Sequence, residues 1–543
     1  MSHKSTGARD IDMRPLSVLR SALVLYRKKL IRPTRPYEMI QSLLCVRQLG
    51  PFAGAARIAA RRNPDRFGLV DDMGALTFHQ LDQRSNALAR AWLEDGLCSR
   101  DVIGVLCRNH RGFLDAVLAS AKIGARAVLL NTGFAGRQLL EVAAREQITA
   151  LVYDQEFAPI TWSLPRRVAR YLSWITTPAS VDAVSLERLI AYTDDSDLPP
   201  PAPAPGEMVL LTSGTSGTPK GAPRQVRSAF ASAEFLHRLP YRRNEATLIA
   251  APVFHGIGMS QFIMTLALAS TTVLCRRFDP AAILARIEQH RCTGLVVVPT
   301  MLQRILDLGE NVLERYDTSS LRIILTSGSP LSPELGNRAT RAFGEVVHNL
   351  YGSTEVAVAT IATPKDWRRA PGTVGRSPVG CRVRLYDADG TPVTRPYQRG
   401  RVHVTSGLKF GGYTSGDSKE ELDGMMSTGD VGHFDKHGLL FIDGRADDMI
   451  ISGGENVYPG EVENLLVEHP GINDAAVIGV PDRDFGQRLK AYVVLEQGAL
   501  LYADEIRAYV RRYAARYKVP RDIVYVEELP RNQTGKLLRR ALT

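Results

Sequence analysis

Serine, threonine and glycine residues surround a single lysine in the segment LLTSGTSGTPKGAP, residues 210–223, which begins within an apolar run. Small residues let backbone N–H groups approach phosphate oxygens, hydroxyl groups add donors, and a lysine adds a positive charge. The segment departs from the Walker pattern G-x-x-x-x-G-K-[ST], because Gly214 lies six positions before Lys220 and Gly221 follows it. Alone it predicts a phosphate site and leaves the nucleotide open.

Four later segments carry residue types that can bind a nucleotide. YGSTE (351–355) offers a ring for stacking and a carboxylate able to hold a hard cation, and STGD (427–430) offers a carboxylate suited to ribose hydroxyls. GRADDMIISGGENVYPGEVE (444–463) joins an arginine and two aspartates to a glycine turn, and LPRNQTGKLLRR (529–540) places a lysine after a polar loop. Each alone is compatible with a turn, a helix cap or a solvated charge. All five in this order indicate one nucleotide site.

Together the five segments resemble the adenylate-forming superfamily of acyl-CoA synthetases, aryl-CoA ligases, peptide-synthetase adenylation domains and firefly-type luciferases. The resemblance begins near residue 55, extends to the end of the chain, and is closest to bacterial fatty-acid–CoA ligases. It implies that a carboxylate attacks the α-phosphate of ATP, with release of pyrophosphate, and that the thiol of CoA then attacks the acyl-adenylate. ATP, Mg²⁺ and CoA are therefore the expected co-substrates and cofactor.

The resemblance also implies a role for each matching residue. Lys536 is expected between the carboxylate and the α-phosphate, Thr354 at the α-phosphate, and Glu355 at Mg²⁺. His255, in PVFHGIGM, is expected to position the acyl group and gate thioester formation rather than to act as a general base. The implied ATP-binding residues are Thr212, Ser213, Gly214, Thr215, Ser216, Gly217 and Lys220 for the phosphates, Gly328, Ser329, Pro330, Tyr351 and Gly352 for adenine, and Asp430 and Arg445 for ribose.

A rotation of the C-terminal domain is implied for the second half-reaction. Its hinge is Asp447, two residues after the ribose-binding arginine, and the turn of Ser452, Gly453 and Gly454 then approaches the path of CoA. One departure concerns Met425-Met426, which stand near the place where relatives usually have tryptophan. A methionine fills the space without a rigid ring, so local packing is affected rather than ribose contact.

The elements that carry these segments predict an α/β fold. Apolar strands alternate with helical segments from residue 68 onward, which is typical of a largely parallel sheet. Short strands and turns near 372–443 indicate a β-rich subdomain. We therefore expect a large N-terminal domain of mixed and parallel α/β layers with this subdomain, plus a small mobile α+β C-terminal domain. The predicted boundaries are a basic N-terminal extension at 1–50, an AMP-binding domain at 51–444 and the C-terminal domain at 445–543.

The net charge of +11 is concentrated near the N-terminus, where residues 1–35 hold nine Lys/Arg against two Asp. A basic stripe with interleaved aromatics is lacking elsewhere, so nucleic acid is not an expected partner. The segment LSVLRSALVLYRKKLI is too short and interrupted to span a membrane, but it resembles a basic amphipathic helix with Leu16, Leu19, Leu23 and Leu30 on one side. A solvated arm, or a helix docked on the body, is favoured, and peripheral membrane contact through residues 1–35 is the alternative.

The cysteines indicate the cellular compartment, and an apolar segment indicates the class of substrate. Six scattered cysteines without a C-x-x-C pair favour a reducing, cytoplasmic compartment, with membrane association through the arm as the variant. HGIGMSQFIMTLALAS (255–270) is largely apolar and lacks an acidic residue that could pair with an amino acid's ammonium group. A medium- to long-chain fatty acid is favoured over an aryl acid. The oligomeric state stays open.

Three other functions remain as alternatives. An acyl-AMP ligase that loads a carrier protein would typically carry an insertion between the domains, and none is evident near 444–460. A non-catalytic nucleotide-binding regulator would be expected to lose Lys536, Glu355 or Asp430, all of which are present. A luciferase-like oxygenase shares every motif. Zinc binding by His433 and His437 is not expected, because they flank a turn rather than share a helical face.

Overall fold

The computed structural model describes residues 15–177, 184–212, 219–224, 231–452, 455–482, 486–533 and 535–542. The helices are α1 (Pro15–Arg27), α2 (Pro36–Arg62), α3 (Phe78–Glu94), α4 (Arg111–Ile123), α5 (Gly136–Arg145), α6 (Ala158–Thr161), α7 (Leu186–Tyr192), α8 (Ser232–Leu236), α9 (Gly256–Ala267), α10 (Pro280–His290), α11 (Pro299–Leu306), α12 (Glu310–Leu313), α13 (Pro333–Phe343), α14 (Pro364–Arg369), α15 (Pro459–Val467) and α16 (Ala503–Tyr513).

The strands form four sheets among the described residues. In chain order they are β1 (Phe67–Asp71), β2 (Gly74–Thr77), β3 (Val102–Leu106), β4 (Arg126–Leu129), β5 (Ala150–Tyr153), β6 (Ala169–Leu172), β7 (Val184–Ser185), β8 (Met208–Leu211), β9 (Gly221–Arg224), β10 (Ala246–Ile249), β11 (Thr271–Leu274), β12 (Gly294–Val297), β13 (Ile323–Thr326), β14 (Val347–Tyr351), β15 (Thr360–Ala362), β16 (Arg382–Tyr386), β17 (Gly400–Thr405), β18 (Glu421–Leu422), β19 (Met425–Phe434), β20 (Leu440–Arg445), β21 (Ile450–Ser452), β22 (Glu455–Val457), β23 (Ile472–Asp482), β24 (Gly486–Leu495) and β25 (Asp522–Tyr525).

Two mixed, mainly parallel sheets make up most of the large N-terminal domain. The first has the order β15-β14-β13-β12-β10-β11-β1-β2 and is parallel from β14 to β1, and the second has the order β7-β6-β5-β3-β4-β8-β9 and is antiparallel only between β8 and β9. Strands such as β12 and β13 are fully buried and consist mainly of Val, Ile and Leu, as expected for parallel strands covered on both faces.

The main hydrophobic core joins residues of both sheets to residues of α2, α3, α4 and α9. Separate clusters pack α10, α11 and α13 on the first sheet and α5 on the second. The predicted α/β class and the division into a large and a small domain are confirmed. The segment 198–206 contains neither helix nor strand, as its prolines predict.

A β-rich subdomain and the small C-terminal domain follow. Strands β16 to β20 form an antiparallel sheet, and β21 to β25 form a sheet that packs with α15 and α16 around its own core. Helix α16 ends at Tyr513, because Ala514 adopts an extended conformation. Met425 and Met426 are buried, and Met426 packs in the core of the β-rich sheet.

The N-terminal segment packs on the body as two helices. Leu25 of α1 is buried in a cluster with Phe235 and Leu236 of α8, and the Lys28 ammonium group donates to the Tyr241 carbonyl at 2.6 Å. Leu19 and Leu23, on the predicted apolar side of this helix, are exposed. The docked-helix interpretation therefore holds for α1, but through Leu25. Within the described residues, no helix combines the length and the apolar character needed to cross a bilayer.

Candidate functional site

The carboxyl ends of four parallel strands open into one cavity of about 1210 Å³. His255 follows β10, Thr300 follows β12, Gly328 follows β13, and Tyr351 ends β14, and all four line the cavity. Neighbouring parallel strands end at the same edge of a sheet, so residues distant in sequence meet there. This edge faces the β-rich subdomain and the C-terminal domain, which contribute Asp430, Arg445 and Lys536 to the same cavity.

The ends of the opening glycine-rich segment are joined by backbone hydrogen bonds. The Thr212 N–H donates to the Lys220 carbonyl at 2.9 Å, which follows from the antiparallel pairing of β8 with β9. The Lys220 ammonium group lies 2.7 Å from the carboxylate of Asp417 and 5.4 Å from the ring centre of Tyr413. The predicted residues Ser213–Gly217 lie outside the described residues.

The predicted adenine-binding residues lie together at the ends of β13 and β14. Gly328 has φ +92°, which favours glycine, and Ser329 and Pro330 follow it along the cavity. A Cβ atom on Gly352 would stand 2.1 Å from the Ala357 carbonyl oxygen, so only glycine fits. The Tyr351 hydroxyl donates to Asp430 at 2.6 Å, which ties the ring to the β-rich subdomain.

The predicted ribose pair is formed by facing residues of two neighbouring strands. Asp430 of β19 pairs directly with Arg445 of β20, and a guanidinium nitrogen lies 3.1 Å from the carboxylate. The same nitrogen donates to the Thr428 carbonyl at 2.9 Å. The buried Nε of Arg445 has no hydrogen-bond partner among the described residues, so one donor is left for a ligand.

Glu355 is a buried carboxylate at the cavity. One of its oxygens accepts from the Tyr413 hydroxyl at 2.6 Å, and its backbone N–H donates to Ser353. Arg224 of β9 also lines the cavity and donates to the Leu408 carbonyl at 3.1 Å. Burial lowers the pKa of Arg224 to about 10, and the charge of Glu355 opposes that shift. Thr354 is half-buried at the same cavity.

Lys536 enters the cavity on a loop of the C-terminal domain. Its backbone N–H donates to the Asn532 side chain at 2.9 Å, and the preceding Gly535 approaches Thr300 so closely that a Cβ atom would stand 2.3 Å from the hydroxyl. The Thr132 hydroxyl donates to Gln533 at 2.7 Å. Burial and the charge of Arg445 lower the pKa of Lys536, while the carboxylates of Asp430, Asp448 and Glu355 oppose this.

His255 lies at the start of α9, where the nucleotide end of the cavity meets an apolar section. Burial lowers the pKa of this imidazole to about 4, and its Nε2 atom has no hydrogen-bond partner in the described part of the chain. The ring is therefore neutral near pH 7. The apolar section is lined by Phe235 of α8, by α9 residues such as Ile263 and Met264, and by α2 residues such as Phe52.

Two predicted positions in the described part of the chain, Ser452 and Asp447, do not line the cavity. Ser452 is buried in the C-terminal domain, where it pairs with Gly486, and it does not line the cavity; Gly453 and Gly454 lie outside the described residues. The Asp447 side chain is 74% exposed directly after β20. Its role as a hinge and the predicted domain boundaries stay predictions.

Two histidine-containing groups have structural explanations. His433 faces Asp443 at 3.0 Å and stacks on Phe441. His110 lies with Cys107 in a buried group, where its Nδ1 accepts from the Gly112 N–H and its Nε2 faces Asp154 at 2.8 Å. Both nitrogens of His110 are thus engaged within the protein.

Sequence reasoning missed the residues that hold the predicted ones. Tyr413 orients Glu355, Asp417 holds Lys220, and Thr428 contacts both the Tyr351 hydroxyl and Arg445. These contacts join segments that are distant in the chain, so no local pattern marks them. Arg224 had one available signal, an arginine only four residues after Lys220.

The comparison with known families decides the classification. The profile of the AMP-binding enzymes matches residues 56–414, and that of the AMP-binding enzyme C-terminal domain matches residues 461–536. The chain belongs to the AMP-binding enzyme family. The first match alone covers well over half of the chain, and the two matches include Lys220, Glu355 and Lys536. The adenylate-forming resemblance is therefore confirmed.

Known relatives of this AMP-binding enzyme act on several acids. The 2-succinylbenzoate–CoA ligase of Bacillus pumilus is 31% identical over 88% of this chain and 95% of its own length. The indoleacetate–CoA ligase of Aromatoleum aromaticum is 32% identical over 85% of this chain and 91% of its own. The o-succinylbenzoate CoA synthetase of Bacillus subtilis, solved with its acyl-adenylate, has a TM-score of 0.78 at 28% identity and covers 90% of this chain and 97% of its own. The same synthetase has been solved with ATP and magnesium.

Proposed function

We propose that this AMP-binding enzyme is an ATP-dependent acid–CoA ligase whose substrate is a lipophilic carboxylic acid, in first place a medium- to long-chain fatty acid. The observation that carries the proposal is a single cavity that joins Lys536, Asp430 and Glu355 to an apolar section formed by α8, α9 and α2. A carboxylate bound near Lys536 would extend its hydrocarbon part into that section.

The first step joins two anions, and the residues around Lys536 are suited to it. A carboxylate oxygen attacks the α-phosphorus of ATP. The bond between that phosphorus and the oxygen that bridges to the β-phosphate breaks, and pyrophosphate leaves with the electron pair. A lysine ammonium group between carboxylate and phosphate offsets their repulsion in the transition state. Lys220 and Arg224 would hold the departing phosphates, and Thr354 would contact the α-phosphate.

The residues present also fit the nucleotide and a metal ion. Arg445 offers its Nε, which has no hydrogen-bond partner among the described residues, and Glu355 offers a carboxylate already oriented by Tyr413. Mg²⁺ held by Glu355 would spread the charge of the phosphate oxygens. Asp430 and Arg445 would fix the ribose, and Tyr351 would contact the base.

The second step forms the thioester. The CoA sulfur attacks the acyl carbon, the bond to the AMP oxygen breaks, and AMP leaves with that electron pair while the thiol proton passes to solvent. We assign His255 to positioning the acyl group, because a group with a pKa of about 4 is a weak base near pH 7. Rotation about Asp447 would withdraw Lys536 and admit CoA along Ser452.

An aryl acid is the second candidate substrate, since the succinylbenzoate and indoleacetate ligases are relatives of this chain. The two candidate substrate classes, fatty acids and aryl acids, differ in how kcat/KM responds to the length of the hydrocarbon chain. Each methylene buried in an apolar section contributes about 0.8 kcal/mol, or roughly fourfold in kcat/KM, until the section is filled.

The test is an acid panel with ATP and Mg²⁺, with and without CoA, in which pyrophosphate and thioester are both measured. Linear acids from hexanoate to palmitate should show kcat/KM rising with length, and indoleacetate and 2-succinylbenzoate should be poorer. If thioester formed from aryl acids alone, the substrate would be an aryl acid, the second candidate, rather than a fatty acid. Pyrophosphate release without thioester would favour the loading of a carrier protein, and no adenylation would favour a regulator.

A size change in the apolar section sharpens this test. Ala55 of α2 lines the cavity, so Ala55→Trp should lower kcat/KM about tenfold or more for palmitate and little for hexanoate. Ala388→Trp, in an exposed turn of the β-rich subdomain, is the matched control. An equal loss for both acids would show that Ala55 does not bound the acid.

A further inference from the structure

The N-terminal helices expose large apolar side chains on the side away from the body. In α1 they recur at i, i+4 and i+7, and in α2 they lie within one turn and a half. Leu43 is 61% and Leu44 58% exposed, whereas Cys45 and Leu49 on the opposite side of α2 are buried. We call this the N-terminal apolar surface: Leu19, Leu23, Tyr26, Ile40, Leu43 and Leu44. On each of the two helices the exposed apolar groups share one face, and such faces mark a contact site for a partner or a membrane.

The charge around this surface is strongly one-sided. Residues 15–47 contain seven Lys/Arg and a single acidic residue, Glu38. On the opposite side of α2, where Cys45 lies, a second cavity of about 300 Å³ is lined by Glu38 and by the arginines Arg32, Arg35, Arg61, Arg62 and Arg243. The Glu38 carboxylate lies 2.7 Å from Arg35 and 3.7 Å from Arg62, so one negative charge faces five positive ones. Burial and neighbouring arginine charges lower the pKa of Arg62 and of Arg243.

Helix α2 connects the N-terminal apolar surface with the cavity in which the carboxylic acid is proposed to bind. Val46 and Ser42 of α2 and Leu30 after α1 line that cavity, and Val46 is also 36% exposed. Val46 therefore lies between the cavity and the exposed side chains of Leu43 and Leu44. Phe52 of α2 packs edge to face on Phe262 of α9 with centroids 5.5 Å apart, which fixes α2 beside the apolar section.

We propose that α1 and the first half of α2 form a docking surface for an anionic lipid bilayer, and that a lipophilic acid enters the cavity from that bilayer beside Val46. The exposed leucines insert among acyl chains, while the surrounding cations contact headgroup phosphates. Delivery of the acid rests on the proposed function; docking does not.

Two other occupants fit less well. In a symmetric pair of chains, the same patch meets itself, and the seven cations of each copy would face those of the other. Residues 1–14 hold three Lys/Arg and few large apolar residues, so their composition complements neither the charge nor the apolar groups.

The test is co-sedimentation of the full chain with vesicles of phosphatidylcholine alone or with phosphatidylglycerol. We expect binding only to the anionic vesicles, and loss of most of it between about 0.05 and about 0.5 M NaCl. The variant Leu43→Gln/Leu44→Gln should lower the bound fraction at least fivefold, and Arg27→Glu/Arg47→Glu should do the same. Leu500→Gln, at a leucine that is 88% exposed in the C-terminal domain, is the control and should bind like the unchanged protein.

Activity separates docking from the proposed function. With palmitate supplied in anionic vesicles, Leu43→Gln/Leu44→Gln should lose at least fivefold in thioester formation, while activity on dissolved hexanoate and the melting temperature stay unchanged. Vesicle binding equal to that of the unchanged protein would overturn the proposal. The proposal would also be overturned if Leu43→Gln/Leu44→Gln converted a dimer to a monomer in sedimentation velocity while the unchanged protein bound no vesicles. The surface would then join two copies of the chain. If vesicles bind and no acid is adenylated, docking stands and the proposed function fails.

Discussion

Lys536 is the residue on which the proposed first step depends most. It lies in a cavity with Arg445 and the carboxylates of Asp430, Asp448 and Glu355, on a loop positioned by Gly535 and Asn532. Lys536→Ala should lower the adenylation rate about 10²–10³-fold, comparable with the loss of one preorganised donor elsewhere. Thioester formation from synthetic acyl-adenylate should change little. Arg540→Ala, a cation four residues later, is the control. Equal loss in both half-reactions would show that the lysine is structural.

The pH profile tests the charge of Lys536 independently. Its pKa is lowered, chiefly by burial, so the ammonium form is lost at a lower pH than that of a free lysine. Because the protonated form is the active one, adenylation should be constant at lower pH and decline as pH rises through this lowered value. The decline should be absent from thioester formation started with acyl-adenylate.

The predicted site residues share a property that made them visible in sequence. Lys220, Glu355, Asp430 and Lys536 each stand in a short segment rich in glycine or hydroxyl residues, and the structure brings all four to one region. Their supporting residues could not be found this way, because Tyr413 reaches Glu355 across 58 residues of chain. The residues that carry the chemistry are marked by local sequence patterns, whereas the orientation of their side chains depends on tertiary contacts.

At the scale of elements, the break in α2 decides where the apolar lining lies. Gly50 has φ +77° and ψ 173°, a conformation open essentially to glycine alone, and Pro51 restarts the helix. Gly50→Ala should destabilise the protein by about 1–3 kcal/mol. A Cβ atom would also lie 3.3 Å from Pro205. Thermal unfolding measures the loss, and Gly498→Ala, with φ +81° in open space, is the control for positive φ alone. Equal shifts in melting temperature for the two variants would mean that the break in α2 at Gly50 carries no strain beyond that of a positive φ.

Strands of the two large sheets were predictable because buried parallel strands read as short apolar runs between turn residues. Helix α2 was not predicted. Gly50 and Pro51 interrupt its periodicity, and its exposed leucines and buried alanines do not form the usual apolar stripe. Only packing against α3, α4 and α9 shows which side of α2 is inner.

At the scale of the whole molecule, few side-chain bonds among the described residues hold the C-terminal domain against the large domain. They include Thr132 to Gln533, Gln303 to Asn473, and the ion pair of Arg399 with Glu461. A polar interface of this kind suits a domain that must leave and return. If Lys536 serves only the first step, the docked arrangement favours adenylation and opposes thioester formation.

Thr132→Val tests this division of labour, because the change lies outside the C-terminal domain and keeps the side-chain shape. It removes a hydrogen bond worth about 1 kcal/mol, which weakens the docked arrangement roughly fivefold. Adenylation should slow by up to that factor, and thioester formation from acyl-adenylate should be unchanged or faster, measured by single-turnover kinetics. Thr391→Val, at an exposed threonine of the β-rich subdomain, should alter neither rate. Parallel slowing of both steps would mean that the contact supports the fold generally, since only a shift between two arrangements can move the half-reactions in different directions.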